Sequence, residues 1–307
     1  MLVPSISNET NQLQCVLLGV ADQSGPIPKY QEAYDPKSRL HIAKGTYPEE
    51  QDLIDQLDLM ENVLKKHGVE VLRPEIVNNC NQIFSRDIAF IVEDRLFISN
   101  ILPARNKEID AIQHILAQIP KENIHKIPED VHVEGGDVIV HNEYLFVGFY
   151  DQPDYADYVT ARTNVKALTY LSNQFPQKNI IGFELTKSND DPYANTLHLD
   201  CCFQPIGNDL AIVCPEGFMH KEEVKWIENH FGLGNIFVSD RQSIFEMQSN
   251  LLSIRPDLVI SDPSFTAINK WLTRKGIEVE RVPYDQISKQ GGLFLSLIHI
   301  SEPTRPY

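Results

Sequence analysis

No run in this 307-residue chain approaches the roughly 18–20 consecutive apolar residues of a membrane span. The opening stretch, MLVPSISNETNQLQ, has neither the basic start nor the apolar middle of a secretory signal, so a cytoplasmic location is expected. Cysteine is scarce: Cys15, Cys80, Cys201, Cys202 and Cys214 are all there are. The count is odd, no CxxC pair occurs, and no Cys/His spacing fits a metal module, which argues against a disulfide framework and a zinc site. Positive charge is in deficit. With 27 Lys and Arg against 43 Asp and Glu, the net charge is −16, which argues against nucleic acid and anionic membrane as partners. No Gly/Ser linker or charge block divides the chain, so a single domain is expected.

What is present is ample apolar content, 42%, and a hidden repeat. One unit reads DIAFIVEDRLFISN from Asp87, and the next reads DVIVHNEYLFVGF from Asp137. A third reads DCCFQPIGNDLAIVC from Asp200, and a fourth NLLSIRPDLVIS from Asn250. Each is an acidic or amide residue, a short apolar strand, a polar turn and a second apolar strand, the grammar of a hairpin. Helical patterns and another strand follow, as in KEEVKWIENHF then NIFVSD, and NKEIDAIQHILAQI then NIHKIP. Gly276 is placed to end the helix that precedes EVERVP. CVLLGVA, EEQDLIDQLDLMENVLKKHG and EVLRP form a further copy near the N-terminus. The predicted fold class is therefore α/β: a five-bladed, pseudo-symmetric α/β propeller of ββαβ repeats. Its recurring acidic position would gather carboxylates at one end of the axis, although any single one of them has a plain reading as a strand cap.

Three segments concentrate polar groups suited to catalysis: Phe84-Ser85-Arg86-Asp87, Glu134-Gly135-Gly136-Asp137 and His198-Leu199-Asp200. If His198-Leu199-Asp200 lies on a strand, its outer side chains share one face and make an acid/base pair. Alone, an HxD is common and a Glu-Gly-Gly-Asp is an ordinary turn. Together and in this order, the three resemble the guanidino-group-modifying superfamily, which includes arginine deiminases, dimethylarginine dimethylaminohydrolases and amidinotransferases. The resemblance covers about residues 15–294, and that superfamily has the five-bladed propeller fold.

The resemblance implies roles. A guanidinium is planar, cationic and rich in N–H donors, so carboxylates in its plane fix it. A thiolate attacks its central carbon, and a histidine protonates the leaving amine and then activates water. Asp87 and Asp200 would bind the guanidinium, His198 would be the acid/base, and Glu134 would hold His198 or a substrate nitrogen. Arg105 and Arg162 would anchor a substrate carboxylate; Arg162 lies in Ala161-Arg162-Thr163-Asn164, similar to the RTN segment of dimethylarginine hydrolases. Asp137 reads as structural, and Cys201 and Cys202 as core. No metal or organic cofactor is implied, because thiolate and imidazole suffice. The expected partner is a small guanidino compound; a homodimer is compatible with the reading.

The nucleophile is missing. The superfamily's cysteine follows a Gly-rich turn in patterns such as GGxFxC, and here Gly291-Gly292-Leu293-Phe294-Leu295-Ser296 puts Ser296 at that position. Residues 295–307 do not resemble the superfamily's ending and read as a non-native tail after a catalytic domain spanning 1–294. The first functional reading is a hydrolase acting on the guanidino C–N bond of arginine or an arginine derivative, lacking its nucleophile as written. The second is an amidinotransferase, and the third a catalytically inactive binding homologue.

Overall fold

The computed structural model describes residues 1–152, 155 and 158–301. Its fifteen strands form five sheets of three. They are β1 (Cys15–Leu17), β2 (Glu70–Leu72), β3 (Ala89–Val92), β4 (Arg95–Ile98), β5 (Ile124–Lys126), β6 (Val138–His141), β7 (Tyr144–Phe149) and β8 (Asn179–Glu184). After them come β9 (Phe203–Ile206), β10 (Leu210–Val213), β11 (Ile236–Val238), β12 (Leu252–Arg255), β13 (Leu258–Ser261), β14 (Glu278–Arg281) and β15 (Ile298–Ser301). Four sheets use consecutive triplets from β3 to β14; the fifth runs β15-β1-β2, so both ends of the chain share one blade. In every blade the first two strands pair antiparallel and the third joins parallel to the second. This is the predicted ββαβ unit, five times over.

The local chemistry explains that unit. Antiparallel steps need only tight turns, and Glu93, Asn142 and Gly207 supply the left-handed residues, with φ of 54°, 54° and 59°. The parallel step needs a crossover, and helices Glu50–Lys66, Lys166–Gln174, Lys221–Phe231 and Thr266–Arg274 provide it in four blades. The first of these buries Leu53, Leu57, Met60 and Leu64, one stripe of a helix. Gly276, with φ of 82°, stands just beyond the last one, where its C-cap role was expected.

One predicted helix is broken. Residues 106–119 form two short helices, Asn106–Asp110 and Gln113–Leu116. The Ala111 carbonyl accepts the Glu75 N–H at 2.8 Å, so Ile115 bonds back to Ile112 instead, at 3.0 Å.

The leading strands of the blades, AFIV, VIVH, FQPI, LSIR and IHIS, are buried almost throughout. An N-terminal strap ties all five blades together. Ser5 N–H donates to Ile300 O, Ile6 N–H to Glu93 O, Glu9 N–H to Val140 O and Leu13 N–H to Ile254 O, while the Thr10 hydroxyl donates to Gly207 O. Glu9 also drives its buried carboxylate onto Arg86 at 2.7 Å. No helix among the described residues is long and apolar enough to cross a membrane.

Candidate active site

The polar residues of the repeat lie just ahead of the leading strands, mostly in single helical turns: Ser85–Ile88 before β3, Gly135–Asp137 before β6 and Leu199–Cys201 before β9. The expectation that His198 and Asp200 share a strand face is therefore corrected. Cys201 N–H bonds to His198 O at 3.1 Å and Cys202 N–H to Leu199 O at 3.0 Å, which folds the segment into a 3-10 turn. Both side chains nevertheless line the same cavity.

That cavity measures about 790 Å³, and Asp87, Arg105, Arg162, His198, Asp200 and Ser296 all contribute to its wall. Glu134 does not reach it. Fully buried, Glu134 sits behind His198 and accepts from its Nε2 at 2.9 Å. Both oxygens of this carboxylate also receive Nη1 of Arg162, at 3.3 and 3.2 Å. Nδ1 of His198 lies 3.9 Å from Asp87. Burial pushes the His198 pKa down, but Asp87, Glu134 and Asp137 outweigh it and hold the imidazole up to about 9. Burial raises Glu134, yet Arg162 and His198 pull it down to about 2. The pair is a buried imidazolium–carboxylate with a guanidinium behind it.

Arg105 is held as tightly. Its Nε and Nη2 fork onto Glu108 at 2.7 and 2.8 Å, Nη1 donates to Asp87 at 2.6 Å, and Nη2 also reaches Phe84 O at 3.2 Å. Protein acceptors thus engage most of its five donors. Arg162 is similar, with Nε on Val159 O at 2.6 Å and Nη2 on Tyr34 O at 3.4 Å. Asp200 is the exception: burial pushes it up to about 6, only partly countered by His198 and Arg86.

Ligand-type atoms of Asp87, Glu134 and His198 lie within 4.8 Å of one another. Arg105 and Arg162 already place positive charge on both acids, so the set is an ion-pair network in which a metal ion would compete with guanidinium groups.

The glycines explain the tight motifs. A Cβ on Gly135 would collide with Arg86 O, and one on Gly136 would lie 2.7 Å from the His198 ring. A Cβ on Gly292 would lie 2.6 Å from Ser296 Oγ. That oxygen accepts Leu293 N–H at 3.1 Å, and Arg86 N–H donates to the Ser296 carbonyl at 3.3 Å. Cys201 and Cys202 are buried, and burial drives both thiols well above the ordinary value, so neither offers a thiolate.

Over residues 41–292 the chain matches the family of N,N dimethylarginine dimethylhydrolase, eukaryotic. The chain belongs to this family. With it comes membership of the guanidino-modifying superfamily, the pentein propellers. The uncharacterized protein YkgA of Bacillus subtilis is 26% identical over 242 residues, 78% of this chain and 77% of its own length. An arginine deiminase of Bacillus cereus is 26% identical over 258 residues, and this chain spans 59% of that longer protein. Among solved structures, the substrate-bound N-terminal domain of ArgZ, a cyanobacterial arginine dihydrolase carrying a Cys→Ser substitution, has a TM-score of 0.76 at 16% identity, covering 94% of this chain and 98% of that one. The inosamine-phosphate amidinotransferase StrB1 of Streptomyces griseus has a TM-score of 0.74 at 15% identity, covering 99% and 98%. These structures share the fold of this dimethylarginine dimethylhydrolase family member.

Sequence reasoning missed Glu108, Asp35 and Lys187. The first was readable as an i,i+3 partner of Arg105. Asp35 precedes Pro36 and accepts Ser38 N–H at 2.8 Å, an N-cap signature. Lys187 carries no local signal.

Proposed function

We propose that this protein is a hydrolase for the guanidino C–N bond of arginine or an arginine derivative, with Ser296 standing where the reaction needs a cysteine. The observation that carries the reading is the convergence of Asp87, Arg162, His198, Asp200 and Ser296 on one cavity, with Glu134 behind the histidine and held by Arg162. In this reading Asp87 and Asp200 accept the in-plane N–H groups of the guanidinium. Arg105 and Arg162 face the substrate's far end with the donors that the protein leaves over, while pairing with Asp87 and Glu134. His198, held protonated well above neutrality, donates to the leaving amine. The same protonation keeps the imidazole from serving as base for a serine hydroxyl, so the chain with Ser296 binds its substrate without turning it over. A thiolate needs no such base.

The ArgZ domain with a Cys→Ser substitution was obtained bound to substrate, which supports binding without a thiol at such a site. The reading of residues 295–307 as non-native remains a proposal, and residues 302–307 lie outside the described residues. His299 supports it, a buried histidine with neither ring nitrogen hydrogen-bonded and Nδ1 4.0 Å from Glu9 Oε2. Against it, Ile298–Ser301 is the strand β15 that pairs with β1 and completes the fifth blade.

The test is an amino-acid product assay on Ser296→Cys. Citrulline from arginine identifies a deiminase, and citrulline from a methylated arginine a dimethylaminohydrolase. Ornithine appearing only with an added amine identifies amidino transfer, the second reading, which the StrB1 fold supports. If Ser296→Cys turns over no guanidino compound, the hydrolase proposal fails, and arginine binding without turnover then leaves the inactive binding homologue.

A further inference from the structure

The segment that carries His198 is clamped on both sides by charged groups with no place in the chemistry above. On the N-terminal side, Nζ of Lys187 donates to the carbonyls of Thr196 and Leu197, at 2.9 and 2.7 Å. On the C-terminal side, Oδ1 of the fully buried Asp137 accepts the N–H of Leu199 at 2.9 Å. The two clamps interact with each other. Asp137 favours the charged form of Lys187, whose pKa burial pulls down, and Lys187 favours the charged form of Asp137, which burial pushes up. Between them His198 has its ring on the backbone of Gly136 and its Nε2 on Glu134. The tetrapeptide Glu134–Asp137 thus holds the histidine from one side, and a lysine 11 positions upstream holds it from the other.

We propose that Lys187 is a positioning residue for His198, with Asp137 as its counter-charge: the pair fixes the carbonyls before and the amide after the histidine, keeping its ring on Glu134. A lysine suits the task because its compact ammonium offers three donors to two neighbouring carbonyls at once. An apolar side chain there would leave both carbonyls without that partner, a loss the local chain relieves by moving. The role rests on His198 being the acid of the proposed reaction, but the contact itself does not.

The test reads the His198 imidazole by NMR titration in the chain as it stands, with the signal assigned by its loss in His198→Gln. Two effects of Lys187→Met have opposite signs. Losing a nearby cation without movement raises the His198 pKa; losing the clamp weakens the bond to Glu134 and lowers it. The proposal expects a fall of about one unit or more, tenfold in proton affinity. Lys187→Arg, which keeps a multi-donor cation, should recover most of that fall. An unchanged or raised pKa in folded Lys187→Met overturns the proposal, as does a fall that Lys187→Arg fails to recover. In a Ser296→Cys background the clamp predicts a kcat loss of roughly tenfold with KM nearly unchanged, because Lys187 acts on the acid and not on substrate. If Ser296→Cys itself is inert, the catalytic reading fails while the imidazole titration still decides the clamp.

Discussion

Asp200→Asn should make this protein more stable while removing guanidinium affinity. Asp200 is buried in the cavity wall, and burial raises its pKa from 3.8 to about 6. The sign follows from linkage. A carboxyl whose folded pKa lies above its unfolded value holds its proton more tightly in the folded state, so ionising it opposes folding. The penalty is absent below the unfolded pKa near 3.8, grows as pH rises, and is complete above about 6. A rise of about two units, at about 1.4 kcal/mol each, amounts to roughly 3 kcal/mol at pH 7.5. Asparagine is nearly isosteric and cannot ionise, so it removes the penalty. Urea unfolding of both proteins from pH 4 to pH 8 measures it, with equal slopes required for the comparison. The stability difference should be near zero at pH 4 and grow to 2–3 kcal/mol (roughly) in favour of Asp200→Asn above pH 6.5. Thermal stabilisation by arginine should vanish in the variant. A variant that is less stable at pH 7.5, or a difference independent of pH, refutes the argument that Asp200 is an undercompensated charge.

Glu134→Gln should act in the opposite direction. It leaves Arg162 buried without its carboxylate and should destabilise the fold by about 3–5 kcal/mol at neutral pH, measured by urea unfolding; a loss below about 1 kcal/mol would mean that the ion pair is dispensable. Gly136→Ala places a Cβ 2.7 Å from the His198 ring, so it should cost about 1–3 kcal/mol. It should also lower the His198 imidazole pKa from about 9 toward the ordinary value; an unmoved NMR titration would show that the ring does not depend on this glycine.

The fold was legible because each blade carries its own local signals: a polar residue before a strand, a tight turn, a helix and a strand. What local pattern does not carry is partnership. Glu134 meets His198 across 64 residues and Arg162 across 28, and Arg86 meets Glu9 across 77. The sequence reading assigned Asp87, Glu134, His198 and Asp200 by motif, but nothing in the motif says that Glu134 lies behind the histidine, out of the cavity. Likewise, alternation alone read His198-Leu199-Asp200 as strand, because a 3-10 turn of three residues has no period of its own. The helix at 106–119 failed for a similar reason: its break is made by Glu75, an acceptor-seeking N–H from elsewhere in the chain.

The charges around the cavity do not balance, and the imbalance is informative. The buried acids there are Asp35, Asp87, Glu108, Glu134, Asp137 and Asp200, with Glu9 beyond them; the cations facing them are Lys37, Arg105, Arg162, Lys187, His198 and Arg86, the last paired with Glu9. One negative charge is left over, and Asp200 is the group that yields by taking up a proton near pH 6. A bound guanidinium supplies one positive charge, so it should pull the Asp200 pKa back down and expel that proton. Arginine binding at pH 5.5 should therefore release up to about one proton per molecule, and binding at pH 8 should release almost none. Calorimetric titrations in buffers of different ionisation enthalpy count it directly. Asp200→Asn, if it retains measurable binding at high ligand concentration, should release none at either pH. Proton uptake at pH 5.5, or a release that Asp200→Asn leaves intact, would mean that the missing positive charge is not the guanidinium's.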